Sequence, residues 1–144
     1  METVKGLTNM CDMKCYALRI KPGQELVSSL KKFVHEKQLK SAFIVTAVGS
    51  LTKARLRMAN SVSVNDYEGF LEIVSLVGTL SDDGHLHMSL SDTEGKVVGG
   101  HVFGDLIVYT TVEVVIGECQ GLTFTREFDE KTGFKELVVK DCRE

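Results

Sequence analysis

The stretch Gly84–His101 reads GHLHMSLSDTEGKVVGGH and contains three of the four histidines of the chain. Polar and apolar side chains alternate over residues 85–91, which is the pattern of a strand with one face on a core and the other toward solvent. Residues 92–95 then supply a turn, because Gly95 tolerates the positive φ that closes a three-residue hairpin loop. This stretch therefore predicts a β-hairpin.

The predicted hairpin brings three imidazoles to one face. If the loop consists of residues 93–95, counting outward from it sets His87 opposite His101. Directly opposite side chains have Cβ atoms roughly 5 Å apart, and His85 lies on the diagonal at roughly 7 Å. Three histidines with an open fourth position are typical of catalytic zinc. The alternative, which spacing leaves open, is a solvated polar strand face with a structural histidine at 101.

Length and composition restrict the class of protein. A chain of 144 residues is long enough for one domain with its own core, which we place at residues 13–144 after a flexible leader at 1–12. The net charge of −3 gives no basic surface for nucleic acid or an anionic membrane. Without a signal peptide or a membrane-spanning stretch we expect a cytoplasmic protein with four reduced cysteines, and nuclear entry is left open.

The remaining pattern predicts an α+β domain around a mostly antiparallel sheet, with one main helix at about residues 24–37. The run Ala42–Val48 is apolar throughout, which favours a strand buried on both faces, and Gly49-Ser50 is expected to turn the chain. Leu106–Ile116 is long and β-branched and is the expected central strand. The other predicted strands are 15–20, 53–59, 70–80, 122–128 and 134–139.

Two charged residues are further candidates for the site. Glu113 lies inside an apolar strand, where a carboxylate needs a partner. It could bind the ion, accept a hydrogen bond from an imidazole, or pair with Arg55 or Arg57, and we favour the ion pair. Arg55, like Arg57, could instead hold an anionic ligand or pair with carboxylates of a neighbouring strand, the simpler alternative being a solvated strand face.

Several segments resemble the PPC (plants and prokaryotes conserved) domain over about residues 15–140. The similarity is specific because the segments occur in the same order along the chain. They are YALRIKPG at 16–23, AVGSL at 47–51, EIVSLVGTL at 72–80, GHLH at 84–87, GGH at 99–101 and EVVIGE at 113–118. The chain is similar to a stand-alone member of that family without an AT-hook.

The resemblance implies an antiparallel α+β fold that assembles as a homotrimer. Some stand-alone prokaryotic members carry a metal held by the His-x-His and Gly-Gly-His segments. Those segments correspond here to His85, His87 and His101, the residues that the hairpin count also selects, and zinc is the expected divalent ion.

The plant members imply a second role for the domain. There it follows AT-hook motifs and drives self-association and partner binding through a Gly-Arg-Phe-Glu-Ile-Leu segment. The matching residues here are 69–74, with Phe70 in the place of the arginine. This chain has no Arg-Gly-Arg-Pro core and one proline, Pro22, so direct DNA binding through an arginine arm in the minor groove is not expected.

Three functional hypotheses follow. The first is a metal-binding homotrimer that binds or transforms a small molecule, with Arg55 holding an anionic group. The second is a non-enzymatic module for protein partners. The third is a cupin-like Fe or Mn oxygenase, in which Asp92 would replace a cupin glutamate, although the later histidine of that motif is absent. The sequence indicates no particular reaction.

Overall fold

Seven strands and one helix make up residues 9–143, the part of the chain that the computed structural model describes. The predicted fold class, a mostly antiparallel sheet with one helix, is confirmed. The elements in chain order are β1 (Met13–Ile20), α1 (Leu26–Glu36), β2 (Ala42–Arg57), β3 (Val64–Thr79), β4 (His85–Ser91), β5 (Val97–Cys119), β6 (Leu122–Asp129) and β7 (Phe134–Asp141).

The 23-residue strand β5 organises the sheet, because it pairs with β1, β2 and β4. β2 pairs in turn with β3, and β3 with β4, so that β5, β2, β3 and β4 form a closed circuit of antiparallel strands. Leucines fill the interior, and Leu51, Leu56, Leu90 and Leu106 are fully buried. The circuit leaves no free edge between β4 and β5, where the histidines lie.

Helix α1 covers part of this core with Leu26, Leu30 and Val34. Glu25 caps the helix, because its carboxylate accepts hydrogen bonds from the backbone N–H groups of Val27 and Ser28 at 3.1 and 2.7 Å. The same carboxylate accepts a hydrogen bond from the N–H of Leu106 at 3.0 Å. One side chain therefore fixes the start of the helix against β5, within the predicted helical region.

The predicted turn at Gly49-Ser50 is wrong, because β2 continues through both residues. Gly49 has a φ of 149°, and the carbonyl oxygen of Thr111 in β5 occupies the space that a Cβ would need. The glycine thus permits close approach of two strands rather than a reversal. Burial on both faces is also wrong, since the side chains of Val45 and Val48 are 44% and 58% exposed.

The hairpin β6–β7 forms a separate two-stranded sheet that docks on the main one. The N–H of Phe124 donates to the carbonyl of Lys40 at 2.8 Å. Beyond β7, Arg143 donates to the carbonyl oxygen of Met10 at 2.7 Å, which places the two ends of the described chain side by side. Most of the predicted leader at 1–12 lies outside the described residues, and within them no helix could cross a membrane.

Candidate metal centre

The hairpin of β4 and β5 closes with the predicted loop. The N–H of Asp92 donates to the carbonyl of Lys96 at 2.9 Å, and Gly95 has a φ of 80°. The Asp92 carboxylate accepts hydrogen bonds from the N–H groups of Glu94 and Lys96, both at 2.9 Å. Asp92 therefore stabilises the turn and is not part of the histidine cluster. A cupin-like site would need this carboxylate as a metal ligand, so the structure does not support that hypothesis.

The strand register places His87 directly opposite His101, as counted from the sequence. His85 projects from the same face of β4, because the intervening Leu86 is buried in the core. One ligand nitrogen from each of the three rings lies within 4.8 Å of the others, and the Nε2 atoms of His85 and His87 are 3.1 Å apart. Two nitrogens on one tetrahedral zinc lie about 3.3 Å apart, so small side-chain rotations would complete a site.

The electrostatic surroundings favour neutral imidazoles, the form that binds metals. Partial burial, followed by the nearby Arg57, lowers the pKa of His101 to about 4. Partial burial and the neighbouring His87 lower the pKa of His85 as well. The Nδ1 atom of His101 is buried without a hydrogen-bond partner. Such atoms are uncommon in native proteins, and a bound ion would satisfy this one.

The structure does not bring Glu113 or Arg55 to the histidines. Glu113 is exposed twelve residues beyond His101 on β5, opposite Arg19 of β1. Among the described residues it forms no ion pair with either arginine of β2. Arg55 donates instead to both carboxylate oxygens of Asp66, at 2.8 and 3.2 Å.

Of the two arginines named as possible anion-binding residues, Arg57 and not Arg55 lies beside the histidines. It lies opposite His101 in the β2–β5 register and lines a cavity of about 350 Å³ beside the three rings. Arg126 and Lys135 reach the same cavity from the hairpin β6–β7. Nothing in the local sequence predicts their contribution, because it depends on where that hairpin docks.

The chain matches the family model described as the Plants and Prokaryotes Conserved (PCC) domain over residues 8–120. The match covers most of the chain, so the protein belongs to this family, and the resemblance to the PPC domain is confirmed. The family, the fold and the clustered histidines define a PPC domain with a candidate metal centre.

Curated relatives carry this domain as a minor part of their length. The chain is 37% identical over 133 residues to the bifunctional protein GlmU of Synechococcus sp. (strain JA-3-3Ab), covering 92% of this chain and 21% of that protein. It is 31% identical over 114 residues to the AT-hook motif nuclear-localized protein 13 of Arabidopsis thaliana, covering 71% of this chain and 26% of that protein. The chain thus spans about a fifth to a quarter of these relatives.

Two solved structures match nearly the whole chain. A hypothetical protein from Salmonella cholerae-suis is 41% identical with a TM-score of 0.89, covering 92% of this chain and 97% of that one. A protein from Archaeoglobus fulgidus, described as metal-containing, is 28% identical with a TM-score of 0.77, covering 91% of this chain and 99% of that one.

Proposed function

We propose that this PPC domain binds one divalent metal ion, with zinc the expected ion, through His85, His87 and His101. The observation that carries the proposal is the convergence of three ligand nitrogens within 4.8 Å on one face of a hairpin. Imidazole suits zinc among the abundant divalent ions. A related structure from Archaeoglobus fulgidus is described as metal-containing, which supports the same assignment.

Three protein ligands would leave a coordination position open, as in catalytic rather than structural zinc sites. A zinc ion held in this way supplies Lewis acidity and can lower the pKa of a bound water toward neutrality. The chain's own contribution is to keep the imidazoles of His85 and His101 neutral through partial burial and to place Arg57 beside His101. The domain would accordingly bind or transform a small molecule at the centre.

Metal analysis of the protein without a polyhistidine tag tests the proposal. After loading and desalting, we expect about one zinc ion per chain in the wild type. His87→Ala should lose this ion, because two imidazoles are left to hold it. His35→Ala is the matched control, since it removes the one histidine outside the cluster, an exposed residue of α1.

A wild-type protein that contains no metal and takes up none when it is supplied would refute the proposal. So would a His87→Ala variant that retains the full metal content. If a hydrolytic or lyase activity is found, it should disappear with the metal and with His87→Ala. Activity that survives both changes would show that the chemistry lies elsewhere.

We further propose that the domain is a homotrimer in the cytoplasm. Apolar side chains on the outer face of the sheet support self-association: Val48 is 58% exposed, and the exposed rings of Phe70 and Tyr109 contact each other with centroids 5.1 Å apart. The second candidate function, a trimeric platform for protein partners, is favoured by this same face. This second candidate function predicts that the trimer persists when a chelator removes the metal ion.

A further inference from the structure

Two of the cavities that the clustered histidines line share several residues and differ in character. The first, of about 350 Å³, is lined in part by the hairpin β6–β7, and the second, of about 400 Å³, is lined by residues of the main sheet and of the segment after β2. Both are lined by Arg57, Ser61, His87 and His101, so one ligand could occupy both and pass the metal position. Each volume is in the range of small-molecule sites.

The hairpin-side cavity is positively charged. Arg57, Arg126 and Lys135 line it, against one carboxylate, Glu136, which leaves two net positive charges. Arg57, which lines both cavities, is the one charged residue among those that line the second cavity, and Met58 and Met88 also border it. The two cavities together form a cleft with three cations at one end and, at the other, a partly apolar lining whose one cation is the shared Arg57.

The cations of this cleft have no carboxylate partners in the described part of the chain. Among residues 9–143, none of Arg57, Arg126 and Lys135 forms an ion pair, whereas Arg55 pairs with Asp66. The Nε atom of Arg57 is buried without a hydrogen-bond partner. A buried guanidinium nitrogen in this state is costly unless an anion occupies the space in front of it.

The two arginines are also held in place. The guanidinium carbon of Arg57 lies 5.8 Å from the centroid of the Phe134 ring. One terminal nitrogen of Arg126 donates to the carbonyl of Lys135 at 2.9 Å, which fixes the side chain and leaves its other donors available.

We infer that the cleft binds a small organic anion whose carboxylate or phosphate group lies between Arg57 and Arg126. The uncharged part of the ligand occupies the side bordered by Met58 and Met88. The proposed function places a metal ion between these two ends. The inference rests on that proposal only for the presence of the ion, because the contacts of the two arginines with the anion do not require it. Arginine suits this role because its planar donors match carboxylate and phosphate oxygens.

Calorimetric titration tests the anion site with three probes that share one ring. Phenylphosphonate and benzoate carry the two candidate anionic groups, and benzyl alcohol is the neutral control. Each is titrated into zinc-loaded and into chelator-treated protein, and zinc content is measured on the same samples. We expect phenylphosphonate, benzoate or both to bind, and benzyl alcohol not to bind. The anion that binds more tightly shows whether the site prefers a phosphate or a carboxylate group.

Variants assign the binding to the two arginines. Arg57→Gln and Arg126→Gln should each weaken anion binding about 10- to 100-fold, the loss expected when one charged hydrogen bond is removed, with zinc content unchanged. Lys140→Gln is the matched control, because it makes a similar charge change at an exposed position of the same strand as Lys135. It should leave the affinity unchanged.

The outcomes separate the two proposals. Zinc-loaded protein that binds neither anion overturns the inference and leaves the metal site standing. Anion binding that needs both arginines in protein unable to hold zinc supports the inference and refutes the metal site. Equal losses in Lys140→Gln and Arg57→Gln, or equal binding of benzyl alcohol, overturn the inference.

Discussion

His101 differs from the other two histidines of the cluster in its burial and its surroundings. It is half-buried, it faces Arg57 across the sheet, and its pKa is lowered to about 4 from an ordinary value of 6.5. The environment thus opposes a positive charge on this ring even before any ion is bound. In a metal-binding protein this means that protons compete weakly with the metal at neutral pH.

This pKa predicts an acid-sensitive fold in the metal-free protein. Below about pH 6.5 the unfolded chain takes up a proton at His101 that the folded chain binds only near pH 4, so folding stability falls as the pH is lowered across that interval. We expect the melting temperature of chelator-treated protein to fall between pH 7 and pH 5, and to fall less in His101→Gln. An unchanged slope in His101→Gln would contradict the prediction.

At this scale the sequence predicted the three clustered histidines and named Arg57 as one of two possible anion-binding arginines, but it did not predict Arg126 or Lys135. The histidine assignment needed only the alternation in β4 and the length of the loop, both of which are local. The choice between Arg55 and Arg57 depended on bulges in β2, where the register against β5 shifts between Lys53 and Leu56. Arg126 depended on the docking of a distant hairpin, which leaves no local pattern.

At the scale of elements, glycines set how closely the strands approach around the site. Gly78 in β3 has a φ of 130° and faces Leu86 in β4, and an added Cβ there would overlap the carbonyl oxygen of His85. Gly69 in the same strand has a φ of 128°, but an added Cβ would meet no atom within 4 Å. An alanine at residue 69 would therefore add backbone strain alone, whereas an alanine at residue 78 would add both backbone strain and steric overlap.

We expect Gly69→Ala to lower the free energy of unfolding by about 1–3 kcal/mol, the cost of strained backbone alone. Gly78→Ala should lose clearly more, because β3 must also move away from β4, and it should weaken zinc binding by displacing His85. Urea unfolding and zinc titration of both variants measure these effects. Equal destabilisation of the two would show that the overlap at Gly78 is relieved without cost.

Two errors in the predicted strand boundaries, at Gly49 and at the start of β5, both involve glycines that lie inside strands. A glycine followed by serine is typical of turns, but at Gly49 it allows a strand to pass close to its neighbour, and the pattern of one chain cannot distinguish these uses. The predicted central strand at Leu106–Ile116 is also too short, because β5 begins at Val97 and continues through Gly104 and Asp105 despite their positive φ values.

At the scale of the whole molecule, the exposed apolar face gives the sharpest test of assembly. If the domain is the proposed homotrimer, Val48→Lys should convert it to a monomer, because a lysine charge would be buried in the contact. Val62→Lys is the control, since Val62 is 82% exposed in the segment between β2 and β3. Sedimentation velocity on both variants measures the effect, and a wild-type protein that is monomeric at micromolar concentration contradicts the proposal.

The contact between Arg143 and Met10 has a consequence for the connectivity of the fold. The two described ends are neighbours, so they could be joined covalently without changing the strand arrangement. The chain could then begin at another point of the same fold. A circular permutant, joined by a short linker between residues 9 and 143 and opened at the exposed Thr132-Gly133 turn, would retain every strand pairing described here. Because its two ends are close together, the domain could also be inserted into a loop of another protein, with both connections at neighbouring positions of that loop.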